Sequence, residues 1–298
     1  MEDAYRLGAW SDRAPFRVDA TAIASYVAAT NGPDLFDGTT GAPPLFAIVP
    51  VFDCLKRAAQ RVFGEDAPAV HLAHDLCVRE PLRPGMHLDC RARLIGFEPS
   101  ELGTTAHLHA QTRDAGVLVN EQYASLLFRE VRKGGKVGVG PLVERPQRPP
   151  DAETLARVAC RVDADQATRY AAASGDRAPI HVDDDVARSN GLPGVILHGM
   201  CTLALATQAV VRATGGSRGR TVERVSARFT RPVLPGDMLT TTVWARPMPR
   251  MTGTYLFETR NQRGERVLRR GIVSTVAAEE ARDVGSGLSG SALVPQGR

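Results

Sequence analysis

Lysine, aromatic residues and cysteine are all scarce in this chain of 298 residues, and long apolar runs are missing altogether. Aromatic residues make up 5% of the chain and the basic residues are scattered, which argues against a stacking surface or a basic stripe for nucleic acid. The five cysteines are odd in number and far apart, so neither a disulfide framework nor a zinc knuckle is expected. No apolar run reaches the roughly 18 residues that a membrane span needs. These absences predict a protein that binds neither nucleic acid nor a membrane.

What is present is typical of a globular protein with about two domains. Hydrophobic residues make up 43% and charged residues 23% of the chain. The N-terminal residues 1–16 contain no apolar signal-peptide core, which predicts a cytoplasmic location. Glycine and proline are concentrated near the middle, and the last residues are rich in glycine and serine. We therefore predict an N-terminal domain at 1–128, a linker at 129–151, a C-terminal domain at 152–282 and a flexible tail at 283–298.

The two halves repeat the same order of motifs, which indicates a duplicated domain. Pro-x-x-Pro-Gly occurs at 81–85 and again at 232–236, and an alternating strand follows each copy. Each half is predicted to have a short helix, a loop, a long apolar helix and then strands of period two. The long helices are predicted at about Leu45–Val62 and His198–Ala213. One apolar helix beside a run of antiparallel strands predicts an α+β fold, with a sheet wrapped around the helix. The predicted strands are 67–79, 87–96, 103–112 and 117–128 in the first half, and 223–231, 238–246, 254–261 and 267–277 in the second.

The segment from Tyr170 to Met200 carries the residues best suited to chemistry. Asp176 and His181 lie in a loop directly after a predicted helix. A glycine before Asp176 lets the backbone leave that helix in a left-handed conformation, and Pro179 stiffens the bend. Such a bend can aim a carboxylate and an imidazole at one point, which is an arrangement that proton transfer uses.

His198 and Gly199 begin the long helix of the second half. The backbone N–H of Gly199 is unpaired there and lies at the positive end of the helix dipole. A carbonyl oxygen that gains negative charge would be stabilised at this position, as in an oxyanion hole. An acid–base pair beside a backbone donor is the equipment for enolate chemistry next to a thioester.

The segment at 170–181, Tyr-Ala-Ala-Ala-Ser-Gly-Asp-Arg-Ala-Pro-Ile-His, resembles the hydratase-2 motif of the MaoC-like (R)-specific enoyl-thioester hydratases and dehydratases. The family pattern Gly-Asp-x-Asn-Pro-aliphatic-His is followed in order by His-Gly-Met at 198–200 and Pro-x-x-Pro-Gly-Asp at 232–237. The resemblance is strong from about 160 to 277 and weak from about 18 to 128. It implies a double hotdog: two fused hotdog folds whose long central helices are wrapped by one continuous antiparallel sheet.

The resemblance also implies roles for single residues. Asp176 and His181 would activate a water molecule and exchange the α proton, the N–H of Gly199 would be the oxyanion donor, and Thr207 would supply a supporting hydroxyl. The first half has no such pair, and Ile48-Val49 stand where the His-Gly dipeptide would be. The implied reaction is the reversible hydration of trans-2-enoyl thioesters, equivalently the dehydration of (R)-3-hydroxyacyl thioesters. It requires no metal or redox cofactor.

The implied substrate is an acyl thioester of coenzyme A or of the phosphopantetheine of an acyl carrier protein. The first half would shape a tunnel for the acyl chain, and Ala178 and His198 are expected at the substrate site, with His198 bracing the helix start. A fused pair of hotdogs replaces a homodimer, so the chain would act as a monomer or as a homodimer. Chain length, branching and the choice of carrier depend on the shape of the tunnel.

Ala178 departs from the family pattern, which has asparagine at this position. Loss of a buried amide costs about one hydrogen bond, roughly 1 kcal/mol, and leaves room for a nucleophile other than water. Three alternatives therefore remain open. They are conjugate addition of an amine, thioesterase chemistry at the same site, and a non-catalytic role as an acyl-thioester-binding scaffold.

The other polar clusters favour structural roles. The acidic run Asp183–Asp185 is typical of a helix N-cap with a solvated first turn. His71 and His74 are three residues apart on a predicted strand, so they are expected on opposite faces and form a poor metal pair. His107 and His109 share a face but lack further ligands. We therefore predict no metal site.

Overall fold

The computed structural model of the protein describes residues 7–33, 35–36, 41–64, 67–129, 131–140, 152–215, 220–246 and 253–277. The predicted tail and residues 141–151 of the predicted linker lie outside these ranges. The helices are α1 (Ala20–Ala29), α2 (Ile48–Phe63), α3 (Gln166–Ser174), α4 (Asp184–Ser189) and α5 (Gly199–Ala213). The strands are β1 (Ala14–Arg17), β2 (Ala69–Val78), β3 (His87–Ser100), β4 (Gly103–Asp114), β5 (Val117–Phe128), β6 (Val137–Gly138), β7 (Thr154–Arg161), β8 (Arg220–Phe229), β9 (Met238–Arg246), β10 (Gly253–Arg260) and β11 (Arg266–Ala277).

All eleven strands form one antiparallel sheet, in the order β1-β3-β4-β5-β2-β8-β11-β10-β9-β7, with β6 paired to β3. The two halves meet where β2 pairs with β8, from Ala73 opposite Arg228 to Cys77 opposite Arg224. Every strand before this seam comes from the first half and every strand after it from the second. The predicted α+β double hotdog with a continuous sheet is therefore confirmed.

The central helices α2 and α5 pack against the inner face of this sheet. In α5 every residue from Met200 to Val211 is buried, so this helix has no solvent-facing stripe. Fully burying a leucine such as Leu203 contributes about 1.5–3 kcal/mol relative to leaving it exposed. Among the described residues, no helix is long and apolar enough to cross a membrane.

Three details differ from the sequence-based expectations. The edge strands β1 and β7 were not predicted, because their residues alternate only between exposed and partly buried positions. Part of the predicted linker pairs with the first half, since Val137 lies opposite Phe97 and Gly138 lies opposite Gly96. The expectation that His71 and His74 point to opposite faces was wrong. A register shift between His71 and Ala73 brings the two rings to a centroid distance of 5.3 Å.

The C-terminal end of α1 is held by side chains from the second half. The last carbonyl groups of a helix have no partner within the helix. At the end of α1, three such carbonyl oxygens accept hydrogen bonds from side chains of the second half. Arg169 Nη1 donates to Ala28 O at 2.6 Å, and Gln166 Nε2 donates to Ala29 O at 3.1 Å. Gln208 Nε2 donates to Thr30 O at 2.9 Å. Because α3 supplies two of these donors, the first half fixes the helix that leads into the Asp176–His181 loop.

Replacing Arg224 with Met is expected to lower the free energy of unfolding by about 3 kcal/mol, because it leaves a buried carboxylate unpaired at the seam. Arg224 binds Asp75 through two hydrogen bonds of 3.1 and 2.8 Å, and the Asp75 side chain is only 4% exposed. Urea denaturation measures the change. Arg157→Met, on the exposed face of β7, is the control. A loss below 0.5 kcal/mol, as is usual for surface substitutions, would contradict the prediction.

Candidate active site

The loop between α3 and α4 has the bend that the sequence predicts. Gly175 ends α3 in the left-handed region, at φ 81° and ψ −7°. The N–H of Asp176 donates to Ser174 Oγ at 3.2 Å, and Asp176 Oδ1 accepts the N–H of Ala178 at 3.2 Å. These contacts orient the carboxylate. A 3-10 turn at Pro179–His181 then brings the imidazole back toward it.

His181 is held in one tautomer. Its Nδ1 lies 2.8 Å from the carbonyl oxygen of Ile196, which can only accept, so Nδ1 carries the hydrogen and Nε2 of the neutral ring is unprotonated. The side chain is buried. Burial lowers the pKa of His181 below its ordinary value of 6.5, and the nearby Asp176 carboxylate opposes that shift. The ring is therefore neutral near pH 7 and offers a proton acceptor at Nε2.

His198 lies against both of these residues. Its ring stacks on that of His181, with centroids 3.7 Å apart and planes at 24°, and its Nε2 donates to the backbone carbonyl of Asp176 at 2.8 Å. Burial lowers the pKa of His198 to about 3. One side-chain nitrogen or oxygen atom from each of Asp176, His181 and His198 lies within 4.8 Å of the other two. A water molecule with hydrogen bonds of about 2.8 Å can bridge two atoms at such a separation.

Asp176, His181 and His198 are also the donor set that a metal ion would require, but their geometry suits one poorly. The lone pairs of an imidazole lie in the plane of its ring. Two rings stacked nearly parallel at 3.7 Å therefore direct their lone pairs side by side instead of toward a shared ion. One nitrogen of each ring is moreover occupied by a backbone carbonyl. The absence of a metal from the mechanism stays a prediction.

Gly199 is the first residue of α5, and no side chain caps this helix end. A Cβ atom at Gly199 would lie 3.2 Å from the ring of Phe229, so glycine permits a close approach of that ring. Among the described residues no acceptor is found for the Gly199 N–H. The helix dipole and this N–H together favour a negatively charged oxygen at the start of α5.

Ala178 and Thr207, the remaining predicted site residues, make hydrogen bonds close to their own positions in the chain. Ala178 lies on the loop, and its backbone N–H donates to Asp176 Oδ1. The Thr207 hydroxyl donates to Leu203 O within α5, at 2.8 Å, and its supporting role stays a prediction. A second hydroxyl in the first turn of α5 is that of Thr202, which donates to His198 O at 3.2 Å. Sequence reasoning missed it because back-bonding to the preceding turn leaves no pattern in the sequence.

Ile48 and Val49, which the sequence places opposite the His-Gly pair, lie in the first turn of the central helix of the first half. The helix α2 begins at Ile48 after Ala47, as α5 begins at Gly199 after His198. A 3-10 turn at Pro44–Ala47 runs directly into α2, and the expected correspondence of Ile48-Val49 with the His-Gly pair stays a prediction. A side chain of isoleucine at the helix start fits with a first half that lacks the acid–base machinery.

The comparisons with known proteins point to one family. Residues 143–265 match the family model described as the MaoC like domain. The 3-hydroxyacyl-thioester dehydratase Y of Mycobacterium tuberculosis is 40% identical over 134 residues, which are 44% of this chain and 44% of that protein. The peroxisomal enoyl-CoA hydratase 2 of Arabidopsis thaliana is 37% identical over 105 residues, which are 35% of this chain and 32% of that protein. The matches thus span less than half the length of both relatives.

Among solved structures, a MaoC-like dehydratase from Phytophthora capsici superimposes with a TM-score of 0.74 and 24% sequence identity. The superposition covers 91% of this chain and 95% of that one. The similarity in fold therefore extends over both halves, whereas the family model covers only part of the chain.

Proposed function

We propose that this chain, whose residues 143–265 match the model of the MaoC like domain, catalyses the reversible hydration of trans-2-enoyl thioesters to (R)-3-hydroxyacyl thioesters. The observation that carries the proposal is the convergence of Asp176 and His181 close to the uncapped start of α5. The names of the relatives, a 3-hydroxyacyl-thioester dehydratase and an enoyl-CoA hydratase, support the same reaction.

In the proposed reaction the water molecule lies between the Asp176 carboxylate and His181 Nε2. One of these groups accepts a proton as the water oxygen attacks C3, and the pair then returns a proton to C2, so that H and OH add across the double bond. The Gly199 N–H donates to the thioester oxygen while the enolate forms. Proton transfer and one backbone donor are sufficient for these steps. Coenzyme A or phosphopantetheine enters only as the carrier of the acyl group.

The test is to incubate the purified protein with crotonyl-CoA and a longer trans-2-enoyl-CoA, and to follow the loss of the conjugated absorbance. Chiral chromatography of the product is expected to give the (R)-3-hydroxyacyl thioester. Release of free thiol without a hydrated product would instead identify a thioesterase. Binding without turnover, on both coenzyme A and carrier-protein substrates, would identify a scaffold.

A second candidate function is conjugate addition of an amine at the same site. The observation that favours it is Ala178, which contributes only a methyl group where the family pattern has an amide. Mass spectrometry of enoyl-thioester incubations with amines separates the two candidates, because an amine adduct differs in mass from a hydrate. The monomeric or dimeric state and the cytoplasmic location stay predictions.

A further inference from the structure

His198 makes two contacts that no other described side chain combines. Its ring face covers the ring of His181, and its Nε2–H holds the backbone carbonyl of Asp176. The two members of the acid–base pair are therefore joined through one side chain, in addition to the loop that connects them. Because the centroid distance of 3.7 Å allows no atom between the rings, the His181 ring cannot move toward His198 while His198 stays in place.

His198 is itself held by a column of rings that begins in the first half. The rings of Phe46 and Tyr26 pack edge to face, with their centroids 5.5 Å apart. The centroids of Tyr26 and Tyr170 are 5.6 Å apart, and those of Tyr170 and His198 are 4.8 Å apart. Phe46, Tyr26, Tyr170 and His198 are each at most 1% exposed. Side chains this deeply buried have little freedom to rotate, since protein interiors are close-packed. The column thus forms a continuous packed contact from the first half to the residue that borders the Asp176–His181 loop.

The same geometry argues against a direct catalytic role for His198. Its Nε2 is occupied by Asp176 O, and its Nδ1 is buried without a hydrogen-bond partner among the described residues. Neither nitrogen is open to a substrate. His181, in contrast, donates only from Nδ1 and keeps Nε2 for the reaction.

We propose that His198 is a positioning residue that holds the Asp176 backbone and the His181 ring in fixed positions relative to each other. The rings of Tyr170 and Tyr26 hold His198 itself in place. This inference rests on the proposed function. It assigns the first half a second task besides contact with the acyl chain, because Tyr26 belongs to α1.

Three substitutions separate the two contacts of His198. His198→Phe keeps a ring for stacking but removes the donor to Asp176. His198→Gln keeps an amide N–H but removes the ring, and His198→Ala removes both. The control is His74→Gln, because His74 is as deeply buried as His198, at 1% exposure, but lies on β2 and contacts Gln122.

For His198→Ala we expect kcat to fall on the order of 100-fold while KM changes little, since a misplacement of about 1 Å has that cost. His198→Phe and His198→Gln are each expected to restore part of this loss. Removing the ring also admits water to His181, so the acidic limb of the pH–rate profile should move to higher pH in the Gln and Ala variants and stay in place in the Phe variant. His74→Gln should change neither kcat nor the position of the acidic limb of the pH–rate profile.

A measurement without turnover keeps this inference separate from the proposed function. Nuclear magnetic resonance of histidine labelled with ¹⁵N reports the tautomer and titration of His181 in each variant. We expect the Nδ1–H tautomer in the wild type and a mixture of tautomers in His198→Ala. An unchanged His181 tautomer and titration in all three variants would overturn the positioning role, even if the wild type hydrates enoyl thioesters. A wild type without hydratase activity, combined with the expected spectra, would overturn only the proposed function.

Discussion

Asp176→Asn and His181→Gln are each expected to lower kcat/KM for enoyl-thioester hydration by about 10³-fold, within the range of 10²–10⁴ for a positioned acid–base group. The first substitution keeps the size of the side chain but removes the carboxylate from the acid–base pair. The second removes the unprotonated Nε2 that the hydrogen bond to Ile196 O leaves free in the wild type. Because the two groups share one water molecule, the double variant should be hardly worse than either single variant.

Matched controls separate chemistry from folding. Asp185→Asn removes a carboxylate from the exposed first turn of α4, and His87→Gln removes an exposed imidazole from β3. Both are expected to retain wild-type rates. Circular dichroism and thermal unfolding of all four variants establish that the fold is intact. If Asp176→Asn stays within about threefold of the wild type, the acid–base assignment is excluded, because even the weakest such role is worth about 10²-fold.

Acidification from pH 7 to pH 5 is expected to cost about 2 kcal/mol of stability for each of two buried histidines, His74 and His198. Burial lowers the pKa of His74 to about 4 and that of His198 to about 3. In the unfolded chain both imidazoles regain a pKa near 6.5. Between pH 6.5 and about 4, these two histidines therefore bind protons in the unfolded state but not in the folded state. Stability therefore falls as the pH falls through this window, and this loss ends below the folded-state pKa values.

Urea denaturation at pH 7 and at pH 5 measures this loss. His74→Gln removes one titrating group while keeping a donor near Gln122. The free energy of unfolding that this variant loses between pH 7 and pH 5 should therefore be about 2 kcal/mol smaller than the loss in the wild type. The exposed His87→Gln variant should follow the wild-type curve. A wild-type stability that is equal at both pH values would show that these imidazoles are protonated inside the fold.

The main elements could be predicted because apolar periodicity follows burial in this fold. The strand β5 was predicted at 117–128 and runs over those residues, and α5 begins one residue after the predicted start. The edge strand β7 escaped prediction because neither of its faces is deeply buried. The register shift beside His71 also escaped, since an extra residue in a strand changes which faces meet without changing composition.

In the candidate site, too, contacts within one loop could be predicted from the sequence, whereas contacts between distant segments could not. Asp176 and His181 could be paired from sequence, because a short loop with a glycine and a proline limits how far apart they lie. The stacking of His198 on His181, and the approach of Phe229 to Gly199, join residues that are distant along the chain. Contacts of that kind depend on how strands and helices pack, so they required the three-dimensional structure.

The seam between β2 and β8 has a consequence for any attempt to divide the protein. If the second half were produced alone, β8 would lose its neighbour and expose a row of free backbone amide and carbonyl groups. Such a fragment would be prone to associate with another copy of itself through that edge. It would also leave Gln166, Arg169 and Gln208 without the carbonyl groups of α1. The half that carries the acid–base pair is therefore not an independent module.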